Sequence, residues 1–240
     1  MAQRHYHLLC ALKNLRGFKN TPPLGKRAFI SIVRECNGPE PAVRVLLLSD
    51  DLLQREAVLS GEIEPEEADL AVLSTSEVTD ARGLPSFLMS GESAEQEVSG
   101  RSPAVDAIWD AYFSHAADVA ERLRSAFLDE WVAYEVGLRN ALVRTRSETL
   151  GLDAGPYLVA EELGKSPAGF ARELDEWKRA SNPLEGLESL ERLRWAWITE
   201  HDAWYQFNDD EVIAYGAKLM VLIRWQRIIQ GKPGSEDEAA

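Results

Sequence analysis

Cysteine, histidine and long apolar runs are scarce in this sequence, and each shortage argues against a class of protein. The two cysteines, Cys10 and Cys36, are too few for a disulfide framework and match no zinc spacing. With four histidines and no Glu-x-x-His pair, a two-metal carboxylate centre lacks its ligands. No apolar run approaches the ~20 residues of a membrane span. We therefore expect a cytoplasmic protein that holds no metal or other cofactor.

Catalytic motifs are missing as well. The sequence contains no G-x-S-x-G nucleophile elbow and no phosphate-binding P-loop. Neither cysteine has a histidine in a local context typical of a thiol nucleophile. The sequence therefore predicts no set of catalytic residues.

Basic residues are outnumbered, and they are unevenly distributed. The formal net charge of −14 argues against nucleic acid as a partner, because such binding needs a basic surface. Residues 1–34 nevertheless carry seven Lys and Arg and no acid, whereas residues 35–100 carry three bases and fifteen acids. Two interpretations stay open: the basic segment packs against the acidic half of its own chain, or it contacts an anionic partner or membrane surface.

Helical periodicity dominates the chain. Apolar residues recur three and four positions apart in most segments, and the only segment that could be extended is residues 4–12. We predict one all-α domain, an elongated multi-helix bundle with one very long central helix. Its parts are N-terminal helices over 1–73, a loop-rich connection over 74–103, a long helix over 104–151, C-terminal helices over 152–231 and a polar tail over 232–240.

The long helix is predicted from the absence of breakers. From Ala104 to Leu150 there is no proline, and Gly137 is the single glycine. An unbroken helix of that length would measure about 70 Å, longer than a compact domain of this size is wide, so either the helix kinks or it spans the whole body and projects from it. Gly151 is the predicted stop.

Two later helices have clear starting signals. Asn182, with Glu185 three positions later, matches a capping box, and Asn208 with Glu211 repeats the pattern. The last helix is expected to run to Gly231.

One stretch, residues 193–204, holds three of the seven tryptophans. On a helix that starts near Pro183, one stripe would carry Leu190, Leu193, Trp197 and Trp204, which predicts burial on the helix face. His201 is then expected to be a hydrogen-bonded core residue. On the other faces, acids and bases are available for ion pairs: Glu200, Asp202, Arg192, Arg194 and Lys218.

Two segments resemble a bacterial family whose genes lie in V/A-type ATPase operons. Residues 127–151 are similar to its mid-chain helix, and residues 190–225 to its C-terminal region. The opening residues 6–24 and the short stretch 84–88 also look like that family. The residues that carry the resemblance, called the signature residues below, are Phe127, Leu128, Trp131, Arg139, Asn140, Arg146, Arg194, Trp195, Trp197, Glu200, Trp204, Phe207, Tyr215, Lys218, Arg224 and Trp225.

This resemblance implies a C/d-like fold, that of the all-helical, funnel-shaped component that sits on the membrane rotor ring of such ATPases. It further implies a non-catalytic, central-stalk role in ion transport coupled to ATP synthesis or hydrolysis. The partners would be the rotor axle and the rotor ring, with the protein peripheral to the inner face of the cell membrane. Its signature side chains are expected to form core or partner contacts.

Two other functions stay open. The first is a helical adaptor unrelated to ATPases, since aromatic and Arg residues are favoured at protein interfaces. The second is a helical enzyme whose pocket is lined by Tyr134, Trp197 and His201. A polar pocket with a histidine of shifted pKa would favour the enzyme.

Overall fold

The structure, a computed structural model, describes residues 4–80, 83–89, 105–164 and 167–231. In these ranges the chain is all-α and contains no strand, and no helix has the length and apolarity needed to cross a bilayer. The α-helices are α1 (Tyr6–Ala11), α2 (Lys26–Glu35), α3 (Glu40–Leu59), α4 (Thr75–Thr79), α5 (Val105–Leu123), α6 (Ala126–Leu150), α7 (Ala171–Lys178), α8 (Pro183–His201) and α9 (Asp209–Gln230). Short 3₁₀ turns lie at Pro65–Glu67, Ser86–Met89, Gly155–Tyr157, Glu161–Leu163 and Pro167–Phe170.

The segment 4–12, which could have been extended, is helical. It forms α1, whose Leu8 is buried against the rest of the core. The backbone N–H of His5 donates to the carbonyl of Phe207 at 2.6 Å, which holds the start of α1 beside the C-terminal third of the chain.

The prediction of a single helix over 104–151 is wrong. The chain breaks at Arg124, whose φ is +53°, and a new helix starts after Ser125. Ser125 caps α6 by accepting the N–H of Leu128 at 3.1 Å, and its hydroxyl donates to Asp210 at 2.6 Å. Arg139 of α6 then lies against Asp106 at the start of α5, so the two helices fold back on each other. Because no proline or glycine marks the break and the apolar spacing continues across it, periodicity alone could not locate it.

The predicted helix ends are confirmed. Gly151 is left-handed at φ +67°, and the side chains of Asn182 and Asn208 cap α8 and α9. The reciprocal half of each capping box differs from the expectation. Glu185 accepts from the backbone N–H of Ser181, and Glu211 accepts from residues of the preceding loop.

The central helix of the bundle is α9, not a helix over 104–151. It packs against α2, α3, α6 and α8, and its buried residues point in all directions around its axis. Gly216 permits this packing, because a Cβ there would lie 2.9 Å from the ring of Phe29 on α2. Packing from all sides fixes α9 relative to four other helices.

The predicted connection over 74–103 contains two short helical elements where the structure describes it, α4 and the 3₁₀ turn Ser86–Met89. Residues Thr75–Thr79 form α4, which starts with a capping box of Ser74 and Glu77. Leu84 and Leu88 are buried in the core. Residues 90–104 and the tail 232–240 lie outside the described residues.

Candidate functional site

A buried carboxylate, Asp50 on α3, lies at the centre of the polar interior. Three cations surround it: Lys26 at 2.5 Å, Arg224 at 3.1 Å and Arg227 at 2.8 Å. Lys26 also lies 3.3 Å from Asp51 and donates to the carbonyl of Asp69. Because a buried charge is costly unless it is paired, this cluster fixes α2, α3 and α9 to one another.

The cluster continues through the bundle as a chain of alternating charges. Arg224 lies 3.4 Å from Glu191, and Glu191 lies 3.0 Å from Arg194 on the same helix, α8. Arg194 in turn holds both oxygens of Glu135 on α6, at 2.7 and 3.1 Å. We call the set Lys26, Asp50, Arg227, Arg224, Glu191, Arg194 and Glu135 the ion chain. It connects five helices.

The pKa shifts of Asp50, Arg194 and Arg224 all favour the charged form of these three side chains. Burial alone would raise the pKa of Asp50, but Lys26, Arg224 and Arg227 outweigh burial and hold the pKa well below its ordinary value. Burial alone would lower the pKa of Arg194, but Glu135 and Glu191 raise it. The pKa of Arg224 is raised in the same way by Glu191 and Asp50.

Asp51, next to Asp50, binds the backbone of a loop in addition to taking part in an ion pair. Its carboxylate accepts the backbone N–H groups of Ala71, Val72 and Leu73 at distances of 2.6 to 3.0 Å. These bonds satisfy amides that α4 and the preceding turn leave unpaired. The polar centre therefore extends to the segment that leads into α4.

A cavity of about 300 Å³ lies beside the ion chain, between α3, α5, α6, α8 and α9. Its floor contains Arg194 and Arg224, and Arg139 and Arg146 also line it. Its walls are largely aromatic and aliphatic, including Trp109, Tyr112, Phe113, Trp131 and Leu142. We call it the arginine cavity. Five of the signature residues line it: Trp131, Arg139, Arg146, Arg194 and Arg224.

A second depression, of about 210 Å³, lies on the surface near the start of α9. One side is the segment from Leu9 to Leu15, and the other is the loop 202–207 with the first turns of α9. We call it the aromatic groove. The signature residues Trp204, Phe207, Tyr215 and Lys218 line it.

The loop beside the groove is held in an unusual backbone conformation. Ala203, Tyr205 and Phe207 have φ values of +49°, +65° and +55°, a region that favours glycine. Glu211 holds the loop by accepting the N–H groups of Tyr205 at 3.2 Å and Phe207 at 2.6 Å. The result is that Trp204 and Tyr205 are 51% and 70% exposed. Such strain, over-determined by neighbouring groups, is typical of functional loops.

Lys218 anchors the other side of this loop. Its ammonium lies 2.6 Å from Asp202, and within 5.8 Å of the rings of Trp195 and Trp204. The ion pair between Lys218 and Asp202 is one that the sequence suggested. Tyr215 donates to the carbonyl of Lys13 at 2.9 Å, and burial raises its pKa to about 12.

The tryptophans of the stretch 193–204 therefore have different environments. Trp197 is buried among Phe127, Trp131 and Tyr134. Trp204 was expected on the same buried stripe, and that prediction is wrong, because α8 ends at His201 and the following loop turns Trp204 outward.

The rings proposed for an enzyme pocket do meet, but they fill the space between them. Trp197 stacks on Tyr134 at 4.8 Å and on His201 at 4.0 Å. His201 is hydrogen-bonded to the carbonyl of Trp197 at 2.8 Å, as predicted, but it is half-buried at the end of α8 and is not a core residue. This arrangement is typical of a packed aromatic cluster.

Four further signature residues have separate positions. Trp225 is buried with Phe18 at 5.5 Å, and Trp195 is half-buried near the same ring. Asn140 holds the backbone of Val159 through both its donor and its acceptor, at 2.8 and 3.1 Å. Glu200 is exposed on α8.

The basic segment 1–34 is partly packed against its own chain. Lys26 meets Asp50, Lys19 lies 2.8 Å from Glu188, and a third pair joins Arg34 to Glu40. Lys13 and Arg16 are exposed, and the part of the chain that the structure describes offers neither of them an ion pair.

Sequence reasoning did not find Lys26, Asp50, Glu135 and Glu191, which are the centre of the ion chain. The available signal was weak: Asp50 and Asp51 interrupt the apolar face of α3 at positions that its helical spacing places inside. Charged residues are almost never fully buried unless they are paired. From the sequence alone, Asp50 and Asp51 therefore indicate a solvent-exposed turn of the helix.

No cluster of three or more metal-ligating side chains occurs in the described ranges. No known protein family, curated protein or solved structure matches the chain.

Proposed function

We propose that the chain is a non-catalytic central-stalk subunit of a V/A-type rotary ATPase, coupling the rotor axle to the membrane ion-translocating ring. The observation that carries the proposal is the ion chain. Both segments that resemble the ATPase-associated family, 127–151 and 190–225, contribute residues to it, namely Glu135, Glu191, Arg194 and Arg224. A part that transmits torque must resist internal shear, and charges paired across five helices oppose such movement.

The aromatic groove supports the proposal as a contact surface. Trp204 and Tyr205 are exposed beside Leu9 and Leu15. Exposed Trp and Tyr side chains next to an apolar surface are typical of interface hot spots. In this proposal another protein of the stalk or ring covers the groove. The strained loop presents these side chains without needing to reorganise on binding.

Charge at the edge of the groove favours an anionic neighbour. Lys13 lines the groove, and Arg16 follows it on the same exposed segment. The carboxylates on the groove's other side, Asp202 and Glu211, are already bonded to Lys218 and to the loop backbone. We therefore propose that Lys13 and Arg16, with Arg4 nearby in sequence, meet ring loops or lipid headgroups at the inner membrane face.

The test is a tagged pull-down from gently solubilised membranes of the source organism, with co-purifying proteins identified by mass spectrometry. We expect the nucleotide-binding proteins of the ATPase and the ring protein. Trp204→Ala with Tyr205→Ala should lower their recovery at least tenfold, and Arg4→Glu, Lys13→Glu and Arg16→Glu together should loosen membrane association.

A matched control uses other exposed apolar residues. Leu150→Ala with Leu152→Ala removes two exposed leucines. Leu150 ends α6, some 36 Å along the helix from Ser125, which contacts Asp210 near the groove. This variant should recover the same partners as the parent protein. Recovery of the protein alone in the soluble fraction would overturn the rotary role, and recovery of unrelated proteins through the groove would indicate an adaptor.

A further inference from the structure

We propose that the arginine cavity is a binding site for a small organic anion, a carboxylate or phosphate monoester carried on one apolar or aromatic group. The shape of the cavity, the composition of its walls and the hydrogen-bonding capacity that remains inside it support this site independently of the proposed ATPase role.

The walls of the cavity favour an apolar body. Trp109, Tyr112, Phe113 and Trp131 line it, and all four are buried in the core. A volume of about 300 Å³ is at the lower end of the range for ligand pockets. This space suits a single ring better than a nucleotide or a peptide side chain with its backbone.

Both carboxylates that line the cavity already accept hydrogen bonds from the protein. Glu135 gives both oxygens to Arg194, and Glu56 accepts the indole N–H of Trp109. A cationic ligand would therefore have to compete with bonds that the protein makes to itself.

Donors, in contrast, remain. The Nε–H of Arg139 is buried and has no hydrogen-bond partner within the described ranges. The rest of its guanidinium lies over the ring of Trp109 at 4.6 Å and 3.3 Å from Asp106. Arg146 is exposed and contacts the ring of Trp177 at 5.4 Å, and no described carboxylate pairs with it. The groups in the cavity that are still available to bind a ligand are therefore positively charged hydrogen-bond donors.

The positions of these two arginines define where the anionic group would lie. Arg139 and Arg146 are seven residues apart on α6, hence on the same face and about 10 Å apart along the axis. Arg146 is exposed and Arg139 half-buried, whereas the floor residues Arg194 and Arg224 are both paired with carboxylates, and Arg224 is buried. The anionic group would therefore lie toward the mouth between Arg139 and Arg146, with the apolar group inward against Trp109 and Trp131.

Calorimetric titration of the full chain with phenyl phosphate, benzoate and benzamide tests this assignment. Phenyl phosphate and benzoate should bind, and benzamide, which has the shape of benzoate without its charge, should bind at least tenfold more weakly. Equal binding of benzamide and benzoate, or no binding of either anion at concentrations up to about 10 mM, would overturn the proposal.

Two variants locate the site. Arg139→Gln with Arg146→Gln should weaken phenyl phosphate binding at least tenfold, whereas Arg172→Gln, an exposed arginine on α7, should leave it unchanged. Leu142→Trp should block the cavity while it keeps both arginines, and should abolish binding. Unchanged binding by Leu142→Trp would mean that the anion pairs with surface arginines only, which would contradict a cavity site. Circular dichroism should show that each variant keeps the parent's helix content.

Discussion

The ion chain and the aromatic groove meet within one stretch of twelve residues, yet they are built in opposite ways. Up to His201, one face of α8 packs into the bundle: Arg194 holds two carboxylates, and Trp197 is surrounded by rings. From Ala203 onward the backbone is strained and the aromatic side chains are outside. In α8, ion pairs between side chains hold the helices together. In the loop that follows, hydrogen bonds and an ion pair hold the backbone so that the rings of Trp204 and Tyr205 stay exposed to solvent.

The difference shows that the same residue types serve two purposes. Carboxylates in the ion chain neutralise buried cations, but Asp202 and Glu211 bind loop amides or Lys218 at the surface. Tryptophan adds buried area in the core and presents area to a partner at the groove. Four predictions separate the two regions, beginning with the largest effect.

The largest effect should come from Asp50. Asp50→Asn keeps the shape but leaves Lys26, Arg224 and Arg227 without their shared counterion, so the free energy of unfolding should fall by about 3–5 kcal/mol. Urea denaturation followed by circular dichroism measures the change. The surface pair of Arg34 and Glu40 is the control, and Glu40→Gln should cost less than ~1 kcal/mol. An equal loss of unfolding free energy in Asp50→Asn and Glu40→Gln would mean that a buried ion pair stabilises this protein no more than an exposed one.

The two tryptophans should differ nearly as much. Trp197→Ala empties part of the aromatic cluster and should lower the free energy of unfolding by about 3–5 kcal/mol. Trp204→Ala removes a half-exposed ring, and its cost should be below ~1 kcal/mol. The same denaturation experiment compares them. If Trp204→Ala were as costly as Trp197→Ala, the loop would belong to the core and not to a contact surface.

Acid should remove the stabilisation that Asp50 gives to the ion chain. The pKa of Asp50 is lowered in the folded protein, whereas an unfolded aspartate titrates near ~3.9. The stabilisation is therefore complete above about pH 4 and is lost as the pH falls toward the folded-state pKa. Urea midpoints measured from pH 6 to pH 3 should fall more steeply for the parent than for Asp50→Asn. Parallel curves would show that Asp50 does not contribute to the acid dependence.

The smallest effects concern backbone conformation. Gly151 and Ala203 are both left-handed, at φ +67° and +49°. Gly151→Ala should lower the free energy of unfolding by about 1 kcal/mol, because a Cβ disfavours this conformation and nothing else crowds the position. Ala203→Gly relieves the same strain and should raise it by about 0.5 kcal/mol, after the entropy of glycine is subtracted. Thermal unfolding midpoints suffice, and a destabilised Ala203→Gly would argue against strain in the loop.

The sequence predicted those features of the fold that depend on neighbouring residues, namely helix caps and a helix stop. Asn182, Asn208 and Gly151 act on the turn of helix beside them, so the side-chain caps and the stop could be read directly. The break at Arg124 could not, since Ser125 acts as a cap while the apolar spacing runs through it unchanged. The outward turn of Trp204 depends on contacts of Lys218 and Glu211 on the following helix, α9, and no helical spacing rule predicts these contacts.

The ion chain was the least predictable part of the candidate site. Asp50 and Arg224 are 174 positions apart, and no spacing rule connects residues at such a separation. The aromatic and arginine signature residues were recognised individually, but their division between a cavity and a groove depends on how α6, α8 and α9 pack. The sequence therefore shows which residue types are present, but tertiary packing determines which of them come together in the cavity and in the groove.

The long separation between Asp50 and Arg224 has a consequence for the newly made chain. The ribosome releases α2 and α3 first, and for most of synthesis Lys26 and Asp50 have neither Arg224 nor Arg227 beside them. Phe29 and Leu46, which α9 covers at Gly216, stay open to solvent for the same period. Nascent chains should therefore engage chaperones until α9 emerges, and products terminated before α9 should be degraded.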